Sequence, residues 1–153
     1  MAKIKQVKKP RRSPHRTQWT AQFAVASELC KRGYEVAFTM GNHPMVDLIV
    51  ISPKKTHLVV DVKGLYRRNP WPVRRQALRD NLFYVFAFVP DNGPNQFFIL
   101  TYDQANEGIK TEFEKTKERK ETKGLTIKEA GYFFCVEWDF AVQFKDKWDA
   151  LPK

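Results

Sequence analysis

Two β-rich runs stand almost side by side in the middle of this chain, Val46–Ser52 (VDLIVIS) and His57–Lys63 (HLVVDVK), with only Pro53–Thr56 between them. Parallel neighbours need a crossover of a dozen residues or more, so so short a link predicts an antiparallel hairpin. Alternation along the second run puts Leu58, Val60 and Val62 on one face and His57, Val59, Asp61 and Lys63 on the other. Asp61 and Lys63 thus share one face of an apolar strand. A lone buried charge costs several kcal/mol, at least, unless it is paired or bound to a metal. The hairpin also carries Asp47, 14 residues before Asp61, towards the same point. Two carboxylates that meet repel each other unless a cation lies between them, and oxygen-only ligands suit a hard ion such as Mg²⁺ or Mn²⁺. An acid two residues before a lysine is a weak pattern in itself: it recurs at Glu118/Lys120 and Glu121/Lys123, where alternating charge on a solvated helix explains it. Only the Asp61 example lies in an apolar strand.

The rest of the chain frames that hairpin. A helix is predicted from Thr17 to just before Gly33, a suitable glycine for the position after a helix. At 100° per residue, Trp19, Gln22, Phe23, Val25, Ala26, Leu29 and Cys30 fall within an arc of about 160°. Gln22 lies near the middle of this inward arc, whereas Glu28 points to solvent with Arg32 four residues on as its partner. A strand is predicted over Tyr34–Thr39, a helix from Pro72 through Asp80, a central strand over Leu82–Val89 and another over Gln96–Thr101. Tyr102–Lys120 reads as a charged helix, Gly131–Trp138 as a short strand and Ala141–Leu151 as a closing helix. The result is an α/β chain whose first three strands form a meander.

At 153 residues the chain suits one domain, taken as 17–153, after a basic arm over 1–16. That arm holds Lys3, Lys5, Lys8, Lys9, Arg11, Arg12 and Arg16 with no acid, and so carries most of the net charge of +10. With Pro10 and Pro14 and no apolar period, it is expected to be disordered. A basic arm on a near-neutral body points to a polyanion partner, most simply nucleic acid; a merely solvated tail is the plainer explanation. A second basic run follows the hairpin: Tyr66, Arg67, Arg68, Trp71, Arg74, Arg75 and Arg79, five arginines and two aromatics in fourteen residues with no acid. It suits a phosphate-tracking surface, or else a solvated face with Tyr66 and Trp71 packed on the core. His43, beside Asn42 and four residues before Asp47, suits a metal ligand or proton shuttle, or an exposed loop position. Cys30 and Cys135 offer neither a disulfide framework nor zinc spacing and read as reduced, partly buried thiols. No run approaches the roughly 18 apolar residues of a membrane span, and no apolar run follows the basic N-terminus as in a secretory signal. The expected location is cytoplasmic.

Asp47, the run Asp61-Val62-Lys63-Gly64 and a helix ending in Lys31-Arg32-Gly33-Tyr34 together resemble the PD-(D/E)XK nuclease superfamily. The resemblance is to its Holliday-junction-resolvase-like branch and to small bacterial proteins of restriction-endonuclease-like fold. Asp80–Phe86 (DNLFYVF) and Phe144–Trp148 (FKDKW) add to it, and it spans roughly residues 17–151. It implies an αβββαβ core, a mixed central sheet flanked by helices. It implies a Mg²⁺-dependent endodeoxyribonuclease with Mn²⁺ as a substitute, DNA as partner, and Asp47, Asp61 and the Val62 carbonyl as metal ligands. Lys63 would orient or activate the attacking water. The family's glutamate in the first helix corresponds to Gln22, an amide that brings no charge, which puts a second metal in doubt. A homodimer is one way such an enzyme cuts two strands.

Two other readings fit the same residues. One is a non-catalytic nucleic-acid-binding module on this fold, with Gln22 marking a degenerate site. The other is a small adaptor for an acidic protein, whose basic arm has nothing to do with DNA. Salt dependence of DNA binding separates these two.

Overall fold

The computed structural model describes residues 10–41 and 46–153. Lys8, Lys9, Asn42 and His43 lie outside them. The first helix, α1 (Pro14–Lys31), starts three residues before the sequence expectation. Ser13 caps it by accepting from the backbone N–H of Arg16 at 3.2 Å, and Pro14 stands in the first turn, where its missing N–H costs nothing. Gly33, at φ +85°, closes the helix as predicted.

Three strands follow, β1 (Glu35–Phe38), β2 (Leu48–Ile51) and β3 (His57–Leu65). They pair as the expected antiparallel meander, Leu48 opposite Val60 and Ile51 opposite His57. Beyond them come the two-residue β4 (Trp71–Pro72), then β5 (Leu82–Phe88) and β6 (Gln96–Thr101). The five-stranded sheet runs β1-β2-β3-β5-β6, antiparallel except where β5 lies parallel to β3. β5 is central, as its unbroken apolar run predicts, and six of its seven residues are buried.

The predicted helix over 72–80 does not form, which departs from the expected αβββαβ order. The parallel crossover between β3 and β5 is made by extended chain instead. Each residue before a proline is driven from helical to extended backbone, and Pro70 and Pro72 impose this on Asn69 and Trp71. Trp71–Pro72 then pairs with β7 (Cys135–Val136), and the N–H of Val73 donates to the carbonyl of Phe134 at 3.1 Å. The second long helix is α2 (Tyr102–Glu121), which follows β6. It opens with a reciprocal cap in which the Thr101 hydroxyl accepts from the Gln104 N–H and the Gln104 side chain accepts from the Thr101 N–H. The closing helix over 141–151 is likewise broken into α3 (Trp138–Ala141) and single 3₁₀ turns at Val142–Phe144 and Trp148–Ala150. Between those turns Lys145 bridges to Phe98 and Asp146 takes φ +55°, which no right-handed helix passes through.

The sheet buries a different core on each face. Ala21, Val25 and Leu29 of α1 pack on Leu48, Val60, Val62 and Val85. Ala105 and Ile109 of α2 pack on Tyr84, Phe86, Phe98 and Trp71. α1 lies so close to β3 that a Cβ on Gly64 would meet the Ala21 methyl at 2.6 Å, so only glycine fits after Lys63. Trp19, Phe23 and Cys30, placed on the inward arc by periodicity, are not in this core: Phe23 and Cys30 are exposed and Trp19 half-buried. Trp19, Phe23 and Phe38 stack along the flank of the helix instead, at centroid separations of 5.5 and 5.2 Å. Glu28 pairs with Arg32 at 2.6 Å, as its position predicted.

Candidate functional site

The hairpin register sets Asp47, the residue before β2, opposite Asp61 in the centre of β3. The Asp47 N–H donates to the Val60 carbonyl at 3.1 Å, and the Asp47 Oδ2 accepts from the Val62 N–H at 2.8 Å. Asp61 is 3% exposed. Its Oδ1 faces Lys63 Nζ at 2.7 Å and its Oδ2 accepts from Gln76 Nε2 at 2.8 Å. Burial raises the Asp61 carboxyl to about 6 despite the attraction of Lys63, and the charge of Asp47 pushes the same way. Burial raises Asp47 too, against the bond from Val62 and the pull of Lys63. Two carboxylates and one ammonium therefore share a partly enclosed site, one negative charge in excess.

Gln22 is 8% exposed, and its Nε2 donates to Asp47 Oδ1 at 2.8 Å. The inward amide predicted from the helix arc thus finds its partner in the carboxylate site. Gln18, one turn earlier on the same face, donates through Nε2 to the Val62 carbonyl at 2.8 Å and more loosely to Asp47 Oδ2 at 3.4 Å. Sequence reasoning missed Gln18, although its spacing of four from Gln22 is the signal that would have found it. Gln76 was missed for a different reason. It lies in the irregular crossover, where no periodicity applies, and is held by the Tyr102 hydroxyl donating to its carbonyl at 2.7 Å.

The basic residues after β3 divide. Lys63, Arg74 and Arg75 line one cleft of about 750 Å³ with Pro72, Val73 and Tyr132 to Phe134. Arg11, Arg12 and Arg67 line a second, of about 390 Å³, with Gln18, Gly64 and Tyr66. Pro72 borders both, so the two clefts flank the end of β3. Tyr66 is half-buried with the guanidinium groups of Arg12 and Arg67 each 5.1 Å from its ring centre. Arg68 lies over Trp138 at 4.4 Å. Arg12 also pairs with Asp91 at 2.6 Å, and Arg75 with Glu129 at 3.2 Å. Among the described residues Arg67, Arg68 and Arg74 have no acidic partner. Arg79 is not brought to this region and lines a separate hollow with Asp80, Thr101 and Asp103. Trp71 is corrected from a surface role to a core one: it is fully buried against Phe86, Phe98 and Trp138.

A second group of ligand-type side chains, Glu112, Cys135 and Glu137, has its donor atoms within 4.8 Å of one another. Burial, with Glu112 and Glu137 nearby, pushes the Cys135 thiol up to about 11. Without a metal it stays protonated at neutral pH, and a cation bound there would have to displace that proton.

The raised carboxyl of Asp61 makes a pH prediction. A group whose folded pKa lies above its unfolded value contributes stability below the unfolded value and loses it as pH rises through the folded one. For Asp61 that window runs from about 4 to about 6. Above it the buried charge is a standing cost, which a neutral amide of the same shape removes. Asp61→Asn is expected to be more stable than the parent by about 1–2 kcal/mol at pH 8 in metal-free buffer, with the gain vanishing near pH 4. Urea midpoints across that range would read it; a difference that does not vary with pH would contradict the burial.

No helix among the described residues is long and apolar enough to cross a membrane. No protein-family model matches the chain, and no curated protein or solved structure matches it either.

Proposed function

We propose that this protein is a metal-dependent endonuclease that hydrolyses DNA phosphodiester bonds, of the junction-resolvase-like kind. The observation that carries the proposal is the approach of two carboxylates across the β2–β3 hairpin, Asp61 buried and Asp47 half-buried, with a lysine 2.7 Å from Asp61. An excess negative charge in a partly enclosed site, whose candidate ligand atoms are carboxylate and carbonyl oxygens, suits a hard divalent cation. Asp47, Asp61 and the Val62 carbonyl would hold Mg²⁺ or Mn²⁺. Such an ion, when bound, supplies neutralisation of charge on a phosphate oxygen and acidification of water.

The chain's own residues do the rest. Lys63, which lines the larger cleft, holds and orients the attacking water through its ammonium protons. Gln76 fixes the rotamer of Asp61 by its bond to Oδ2, and Gln18 donates to the Val62 carbonyl. Arg74 and Arg67, on either side, meet the backbone phosphates. Water then attacks phosphorus in line, its oxygen bonds to phosphorus as the bond to the 3′ oxygen breaks, and the proton the water gives up ends on that 3′ oxygen, leaving a 5′-phosphate and a 3′-hydroxyl.

The test is cleavage of labelled duplex, single-strand, flap and four-way-junction DNA in Mg²⁺, Mn²⁺ or EDTA. Cutting in the metals and none in EDTA supports the enzyme. Salt-sensitive binding with no cutting in any condition favours the second reading, a non-catalytic nucleic-acid-binding module, for which Gln22 is the specific observation.

Gln22→Glu tests the site itself. The substitution replaces a 2.8 Å bond to Asp47 with a second buried negative charge. It is expected to lower stability in EDTA by about 1–3 kcal/mol. Binding to the native state alone raises the melting temperature, so Mg²⁺ should raise it more in this variant than in the parent. Equal melting temperatures in EDTA, with no response to Mg²⁺, would remove the case for a cation here.

A further inference from the structure

The cleft that Lys63 lines carries more than a phosphate needs. Its lining includes Tyr132, Phe133 and Phe134, three aromatics in succession. The outer two are anchored: Tyr132 and Phe134 pack on Phe113 at 4.9 and 5.9 Å, and the Phe134 carbonyl accepts from the Val73 N–H at 3.1 Å. Arg75 lies over Phe134 at 4.6 Å. The middle ring, Phe133, is 74% exposed. A single exposed phenylalanine is ordinary on a protein surface. This one differs because its neighbours on both sides are pinned, so a fixed segment displays it in the cleft that holds Lys63. The same cleft offers Arg74, a cation without an acidic partner among the described residues. An aromatic face with a free cation is the combination that binds a base and its phosphate, since every base has a π-face to stack. At about 750 Å³ the cleft falls within the roughly 300–1,000 Å³ of pockets that hold small molecules. Bases inside a duplex are already stacked on each other and have no free face to give.

We propose that this cleft holds one unpaired nucleobase stacked on Phe133, so that the substrate is DNA with a single-stranded nucleotide beside the scissile phosphate. This rests on the nuclease reading above and narrows its substrate to DNA with an unpaired nucleotide: flaps, single strands or opened junctions.

The experiment measures binding of a single-stranded oligonucleotide carrying 2-aminopurine, and of a blunt duplex of the same sequence, in Ca²⁺ and separately in EDTA. Phe133→Leu keeps apolar bulk without a ring, and Phe133→Trp restores one. The leucine variant is expected to lose about 5- to 150-fold in single-strand affinity, with duplex affinity unchanged. The tryptophan variant should keep it, and stacking should quench 2-aminopurine in the parent but not in the leucine variant. Single-strand affinity unchanged in Phe133→Leu, or an equal loss on duplex, overturns the stacking site. The nuclease reading would then still stand or fall on metal-dependent cleavage by the parent and by Lys63→Ala. Failure of the parent to bind either DNA overturns both.

Discussion

Lys63→Ala and Asp61→Ala are each expected to lower metal-dependent DNA cleavage by about 10²–10³-fold or more, the usual cost of removing one preorganised group from a reacting centre. The loss should fall on turnover rather than on binding. The arginines suited to phosphate contact, Arg67, Arg68 and Arg74, stand on separate side chains and keep their charges in both variants. The two replacements differ in a second readout. Lys63→Ala leaves Asp61 buried without its nearest cation, which is destabilising and raises its carboxyl further. The melting temperature of that variant should therefore fall in EDTA and recover partly in Mg²⁺. Asp61→Ala removes the buried charge itself, and its melting temperature should be much less sensitive to Mg²⁺. Gel-resolved cleavage at saturating DNA, beside thermal melts with and without metal, checks both statements. Turnover of either variant near that of the parent would mean that the chemistry lies elsewhere.

Trp71→Ala is the largest stability change expected outside the site. The indole is fully buried among Phe86, Phe98 and Trp138, at centroid distances of 5.3, 5.2 and 4.4 Å. Truncating a buried tryptophan typically costs about 3–5 kcal/mol, through lost burial and the cavity left behind. For a domain of this size that lowers the melting temperature by about 6–20 °C. Its Nε1 has no hydrogen-bond partner among the described residues, so the cost is one of packing. Trp71→Phe, which retains most of the ring contact, should lose well under half as much. The consequence would reach the cleft, because Trp71–Pro72 and Cys135–Val136 pair and so hold Arg74 and Phe133 on the two segments that follow and precede them. A denaturation midpoint in Trp71→Ala within error of the parent would place this residue outside the cooperative core.

Local pattern was sufficient where one short-range rule acted alone. The hairpin over 46–63 follows from a four-residue link between two alternating runs, and its register then carries Asp47 to Asp61. Gln22 is inward because the helix period puts it among apolar neighbours. β5 is central because it is apolar throughout. Local pattern was insufficient where two rules competed. Pro72 suits the first turn of a helix, and the residues after it contain no breaker before Asp80. Yet Pro70 and Pro72 also extend the residues before them, and a distant partner strand, Cys135–Val136, accepts Trp71 and Pro72 into a ladder. The partner settles the choice, and no window of sequence around Pro72 contains it. The closing segment is similar: its helical period is real, but Lys145 is drawn into a bridge with Phe98 and the helix cannot pass through Asp146.

The site divides along the same line. The sequence by itself determined which charges are forced together, because Asp61 and Lys63 are two apart on one strand and Asp47 is bound to them by a tight hairpin. Only the tertiary structure decided what surrounds them. Gln18 reaches the Val62 carbonyl because α1 packs directly on Gly64, Gln76 reaches Asp61 because an irregular crossover folds back over the sheet, and Phe133 shares a cleft with Lys63 because β7 pairs with β4. Each of these contacts joins residues far apart in the chain, and their closeness depends on burial summed over two cores rather than on any local preference.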